Sequence, residues 1–489
     1  MIQTNFSSLD WLVFLGYFAV LALTSYLLSQ SKIKTSREYF ISAESMPMYA
    51  VALSVLATSQ SAATFLGVPE YAYAKDFTFI GFYFSALIAG VFVAFVLLPK
   101  FYAIRAVTVY ELLEKRYGAA AKRQAGIMFL FGRVMASGAR LYIGAIAVSM
   151  ILFGDVAFVH LCVSIAILMF GALAYTYFGG IRSIILSDVI QAFTYVVAAL
   201  AVLIFLYYSL AHVDIWKVLH EHNKLLFIDT SMDGKFNIFG LLTGWLLLNI
   251  AAFGLDQDMT QRVLACKNEK EAAKSLLLAV FLTIPVVLIF LAIGALLFVF
   301  YQQSTVVQSF DGEQITIFMY YILNEMPEGL RGLVTVGAIA AALSSANSVL
   351  GAMASVAIED IYKPWKLKRG IVDEIHFVKA SQNAVLFFAF ILSLMAIVSY
   401  FWQRSSELSL INFALGVMTF AYTGLLGVYF AAIFTKRGNA TTVPLALAGG
   451  FVTVLCMQPY IFGIDIGFSW QMLLGSFVAF IIMQAGKNE

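Results

Sequence analysis

Between Ala57 and Thr64 the sequence reads Ala-Thr-Ser-Gln-Ser-Ala-Ala-Thr: five hydroxyl or amide side chains in eight residues, inside an apolar run from about 47 to 74. A continuous helix facing lipid gains nothing from such groups. A helix interrupted there, with Gly67 and Pro69 just beyond, frees backbone carbonyls for a cation and offers hydroxyls to a polar solute. Small polar residues also pack helices together; their density here favours a site.

Three further groups stand out. Ala341, Ser344, Ser345 and Ser348 follow the spacing i, i+3, i+4, i+7, which puts them on one helix face. Their oxygens suit a hard cation such as sodium, and the same stripe suits close helix packing. Asp188 opens an apolar run after the turn Gly179-Gly180-Ile181-Arg182. At the centre of a span an aspartate costs roughly 2.5–3.5 kcal/mol, whereas near an end it caps the helix; both readings stay open. Arg133 and Arg140, seven residues apart, share a face of another span. Intramembrane arginines pair with an anion, here Asp188, another carboxylate or an anionic solute. Arg133 also lies near enough to its span's end to snorkel.

The elements that must hold these groups are membrane helices. Of the 489 residues, 62% are hydrophobic and 12% charged, against about 25% charged in soluble proteins. The apolar residues form runs of spanning length rather than the ten-residue alternation of a barrel. Thirteen spans are expected, near 9–29, 47–74, 79–101, 125–153, 157–178, 184–209, 236–256, 272–301, 330–359, 377–401, 409–434, 441–462 and 466–485. Connections numbered alternately carry 22 of the 30 lysines and arginines, Lys32 and Arg262 among them, on one side and 6 on the other, with Arg133 and Arg140 inside a span. The positive-inside rule then puts the N-terminus outside and the C-terminus inside. Met1 to Asp10 contain no basic residue, so the first run reads as a retained helix rather than a cleaved signal.

A net charge of +2 says nothing of nucleic acid, and none is expected as a partner. Cys162, Cys266 and Cys456 give neither a disulfide framework nor metal spacing, and His220-Glu221-His222 falls in a polar connection. Aromatic residues make up 15% of the chain and read as lipid-facing or interfacial. No His-Glu, Ser-His or Cys-His set lies at membrane depth, so an enzyme is not expected. A second interruption is expected at Thr243-Gly244, with Asn249, in the seventh span. It lies five spans after the first, as the leading helices of two repeats would.

Four segments together resemble the sodium/solute symporter family: Gly179–Gln191 around Asp188; Asn249 with Gln257-Asp258-Met259-Thr260-Gln261-Arg262; Ala341–Ser348 with Glu359-Asp360-Ile361-Tyr362; and Gly424-Leu425-Leu426-Gly427-Val428 with Thr435-Lys436-Arg437. The resemblance reaches from the extra N-terminal helix to about residue 440. It implies an all-α integral membrane protein of the LeuT type, one membrane domain with inverted five-helix repeats over 47–209 and 236–434. An extra helix at 9–29 precedes them and two more at 441–485 follow, in a bacterial inner membrane. It implies a sodium site from the carbonyls of Ala57, Gln60 and Ala341 and the hydroxyls of Ser344 and Ser345. A second cation site in some relatives would correspond to Asp188, Asn347 and Ser348, with asparagine a departure from their serine.

Sugar-transporting relatives place a lysine where this chain has Thr283, and Thr64–Tyr73 is similar to the sialic-acid and monocarboxylate branches. The implied solute residues are Ser59, Ser61, Thr64, Tyr83, Arg133 and Asn249, Arg133 lying in a Gly-Arg-Val match with Arg140 its competitor. The implied function is sodium-coupled import of a small organic anion. A proline or sugar symporter of the same family, a proton-coupled or uncoupled carrier of the same fold and a solute-sensing receptor are the rival readings.

Overall fold

The structure is a computed structural model. It describes residues 6–29, 33–231, 235–303, 316–406, 410–462 and 467–487; Lys32, the first five residues and the first residues, 409 and 466, of two expected spans lie outside them. Among the described residues the only regular elements are helices, joined by turns and irregular connections, with two isolated bridges. The longer helices are α1 (Ser8–Ser29), α2 (Met48–Ser59), α3 (Ala62–Ala74), α4 (Ile80–Phe92), α5 (Ala119–Phe153), α6 (Phe158–Ser209) and α7 (Gly244–Gly254). They continue with α8 (Gln257–Val263), α9 (Glu269–Gln303), α10 (Leu330–Ser355), α11 (Glu374–Ser406), α12 (Leu410–Phe434), α13 (Thr442–Cys456) and α14 (Phe468–Gln484). Among the described residues, seven helices are long and apolar enough to cross a membrane, or nine if each of two bent pairs is one span; four shorter apolar helices accompany them.

Large apolar side chains such as Phe84, Phe170, Phe387 and Phe390 are more than half exposed. A soluble protein of this size would bury them; lipid replaces the missing partners. The most interior helix is α10: its most apolar stretch is 94% buried, against 83% for α5 and 33% for α11, so α10 is the axis on which the others pack. The most extensive contact is between α10 and α6, and α1 lies against both. The start of α10 is capped from afar: Asp10, fully buried, accepts from the backbone N–H groups of Gly329 (2.8 Å) and Gly332 (2.7 Å). A carboxylate there satisfies orphan donors and complements the helix dipole.

The interruption expected in the second span falls at Gln60 and Ser61, both extended (ψ 133° and 172°), between helices bent by 60°. Ser61 and Thr64 form a capping box that restarts the helix. Pro69 sits inside α3, and Gly294 of α9 packs behind it so closely that a Cβ would lie 2.2 Å from the Pro69 carbonyl oxygen. The second interruption is double. Thr243 breaks the chain where expected, and a 55° bend at Leu255–Asp256 separates α7 from α8. The fifth and sixth spans join into α6 across Gly180 (φ +54°, ψ −152°). Only glycine suits that position, because a Cβ would come within 2.4 Å of the Tyr39 carbonyl.

Candidate functional site

Helices end by leaving carbonyls without intrahelical donors. At the α2 terminus the Ser61 N–H turns to Thr64 Oγ1 (3.5 Å) rather than back along the helix. This leaves the carbonyls around Ala57 and Gln60 in the gap, opposite the serine face of α10. Ser345 Oγ reaches the Gln60 carbonyl at 3.5 Å, and Ser344 Oγ donates to Asp188 Oδ1 at 2.8 Å. Ala341 lies inside the unbroken α10, so its carbonyl keeps only a second lone pair for another partner. Ala57, Gln60, Ala341 and Ser344 are buried and Ser345 half-buried. The structure therefore brings Gln60 and Ser345 together across the gap between α2, α3 and α10, with Ala57 at the end of α2 and Ala341 and Ser344 on α10.

The residues of the second cation set are engaged otherwise. Asp188 is fully buried; its Oδ2 accepts from Ser54 Oγ (2.5 Å) and the Arg262 guanidinium (Nη2, 3.2 Å). Asn347 faces its amide nitrogen to the carbonyls of Ala172 (3.3 Å) and Leu343 (3.2 Å). Ser348 Oγ donates to the Ser345 carbonyl (3.0 Å). Asp188 is thus not a helix-end cap but a paired interior charge. Arg262, grouped by sequence with the positive connections, is itself fully buried; a short helix after the bend carries it inward to Asp188.

Ser59, Ser61, Thr64, Tyr83, Arg133 and Asn249 all line one cavity of about 90 Å³, together with Arg140, Phe79, Phe82, Asp256, Met418 and Tyr422. That is room for a few waters; a sugar acid needs the cavity to widen. Asn249 donates its amide N–H to the Phe82 carbonyl (3.2 Å). The two arginines differ. Arg133 Nη1 donates to Asp256 Oδ2 (2.7 Å), and Nη2 is hydrogen-bonded to Asp258 Oδ2. Tyr422 Oη also donates to Asp256. Arg140, half-buried, donates to Met418 Sδ (3.1 Å) and has no carboxylate within ion-pair distance among the described residues. Arg133 thus resolves against two carboxylates and not by snorkelling, while Arg140 presents a guanidinium with no carboxylate in contact.

Sequence reasoning missed Ser54, Asp256, Asp258 and Tyr422. The first three had a readable signal: a hydroxyl two turns before the interruption, and an Asp-x-Asp pair beside a span that needs partners for two arginines. Thr283, fully buried, bonds its own helix at Ala279 (2.9 Å). His222, in the polar connection, bonds the Val218 carbonyl (2.9 Å).

Known proteins share this architecture. The family model described as the sodium:solute symporter family matches residues 39–452. The chain is 28% identical over 485 residues to the sodium/sialic acid symporter SiaT of Proteus mirabilis, covering 96% of this chain and 93% of that protein. It is 26% identical to the sodium/sialic acid symporter NanT of Aliivibrio fischeri, covering 98% and 92%. A solved substrate-bound, outward-open structure of a Na+-coupled sialic acid symporter superposes with a TM-score of 0.85 at 26% identity, covering 98% of this chain and 97% of that one. With a family match across most of its length laid over a broken helix that faces a serine-lined axis, this chain belongs to the sodium:solute symporter family and is a multi-pass, sodium-coupled transporter.

Proposed function

We propose that the chain imports an organic anion together with sodium, with sialic acid the first candidate, and that Arg140 holds the anion's carboxylate. The observation that carries this is a guanidinium without a carboxylate partner on the wall of a central cavity beside the interrupted helix. A fixed cation with no carboxylate in contact is expensive away from water, and a ligand carboxylate would answer it with bidentate, charge-assisted bonds. Ser59, Ser61, Thr64, Tyr83 and Asn249 supply hydroxyl and amide partners for a polyhydroxy acid. Arg133 lines the same wall as a structural cation. The two sialic acid symporters among the relatives support the substrate class.

In the same reading sodium is held by the carbonyls of Ala57, Gln60 and Ala341 and the hydroxyls of Ser344 and Ser345. Because Ser344 gives its proton to Asp188, its lone pairs are free for the cation. Asp188, Asn347 and Ser348 make a weaker second site, since their polar groups already serve Arg262, Ser54, Ser344 and backbone carbonyls. The chain crosses a bacterial inner membrane 13 times, the four shorter apolar helices included, with the N-terminus outside and the C-terminus inside. Residues 47–209 and 236–434 form inverted repeats, with 9–29 before them and 441–485 after, and the two bent pairs lead the two repeats. Each sodium entering down a 100 mV potential releases about 2.3 kcal/mol, and alternating access delivers it to the solute.

The test is equilibrium binding of sialic acid, and of N-acetylmannosamine as an analogue without the carboxylate, to purified protein in sodium and in potassium. Sodium-dependent binding of the acid alone supports the reading; equal binding of both compounds removes Arg140 from it.

A further inference from the structure

The cation gap and the cavity are joined by a line of buried charges. It begins at Ser344, whose hydroxyl donates to Asp188. Asp188 pairs with Arg262, whose Nη1 donates to Asp258 Oδ1 (3.0 Å). The other oxygen of Asp258 pairs with Arg133, and Arg133 pairs with Asp256, which also takes the Tyr422 hydroxyl. All five charged side chains are at most 3% exposed. The line crosses four elements: α10, α6, α8 with its cap Asp256, and α5, ending on α12. Asp256 and Asp258 stand on either side of the residue that follows the bend between α7, which lines the cavity, and α8, and the Asp258 N–H donates to Asp256 Oδ1 (3.0 Å).

Charge explains why such a line would carry information. Three carboxylates and two guanidiniums leave one formal negative charge, which Arg140 balances across the cavity. A sodium at the gap or an anion at Arg140 unbalances the set by one charge; both together restore it. Because one uncompensated member of a buried ion pair is costly, a change of partner at one link is passed to the next. We propose that Asp258 is the positioning residue that couples the two sites. Sodium at Ser344 and Ser345 acts through Asp188 and Arg262 on Asp258, and Asp258 sets Arg133, Asp256 and hence the cavity wall. The inference rests on the sodium site of the preceding section and does not depend on the identity of the solute.

The experiment needs no solute. In the full chain, with Cys162, Cys266 and Cys456 replaced by serine, Ala86→Cys places a thiol on the cavity wall. Its labelling rate by a small methanethiosulfonate is measured in sodium and in potassium, beside saturable ²²Na+ binding. The expected result is a rate that differs several-fold between the salts. Adding Asp258→Asn should bring the ratio to about one while half-saturation for ²²Na+ stays within about threefold, and Asp258→Glu should restore the ratio. A purely structural role would lower binding and labelling response together. Should Asp258→Asn not fold, Asp256→Asn cuts the line one link nearer the cavity, with the same expectation. A retained ratio in the neutral variant with normal sodium binding overturns the inference alone, as does a ratio of one in the parent. Absence of saturable ²²Na+ binding in the parent overturns the sodium site itself, and the inference with it.

Discussion

Replacing Arg140 and Arg133 separately by glutamine should give two different failures. Among the described residues Arg140 has one hydrogen-bond partner, a thioether sulfur at 3.1 Å, so its truncation removes little that holds the fold. A carboxylate bound to its guanidinium would interact by about 4 kcal/mol at contact distance and an effective dielectric of 20. Discounting for the half-buried position and for water that replaces the lost partner leaves about 2–3 kcal/mol, or roughly a 30- to 150-fold rise in the solute half-saturation constant. Arg133 is 3% exposed and serves two carboxylates as buried as itself. Removing it leaves Asp256 with no cation and only the Tyr422 hydroxyl and takes one of two guanidiniums from Asp258, at about 3–5 kcal/mol of stability. The assays are concentration-dependent uptake in proteoliposomes and thermal unfolding in detergent. Arg140→Gln should unfold within a few degrees of the parent and lose affinity; Arg133→Gln should lose thermal stability or yield. An Arg140→Gln protein with a half-saturation constant within threefold of the parent refutes the assignment of the anion to Arg140.

Other consequences are as direct. Asp188→Asn should weaken sodium half-saturation by roughly tenfold, about 1.4 kcal/mol. Arg262 claims the amide oxygen, so the amide NH2 turns to Ser344 and points the hydroxyl proton at the cation; unchanged sodium dependence contradicts this. Ser345→Ala should raise the sodium requirement by about tenfold, one hydrogen-bond-sized ligand, while the solute constant at saturating sodium stays near the parent's; equal loss in both means the side chain only packs. Gly180→Ala forces a Cβ within 2.4 Å of the Tyr39 carbonyl at φ +54°. It should lower the unfolding temperature by several degrees, corresponding to about 1–3 kcal/mol; an unchanged temperature contradicts the strain argument.

The broken helix at Gln60–Ser61 and the serine face of α10 were legible because both are local: polar groups at membrane depth, and a spacing that fixes a face. The arginine assignment was not. Arg133 and Arg140 lie on one face two turns apart, about 10 Å along the axis, and which of them meets a carboxylate depends on the depth at which Asp256 and Asp258 enter. That depth is set by the bend at Leu255–Asp256; Gly254 beside it marks a break in the sequence but not its angle. Arg262 was misplaced for the same reason. Beside a lysine-rich connection it counts as a surface charge, and only the inward turn of α8 brings it to Asp188. Long-range pairing of charges on different helices leaves no periodic trace in one sequence.

The central claim, transport of an organic anion driven by sodium, is tested most directly by uptake of labelled sialic acid into sealed proteoliposomes under an inward sodium gradient and, in parallel, an inward potassium gradient. The account predicts accumulation above equilibrium in sodium, abolished by a sodium ionophore and absent in potassium. Equal uptake in the two salts would contradict it and leave Ser344 and Ser345 as helix packing.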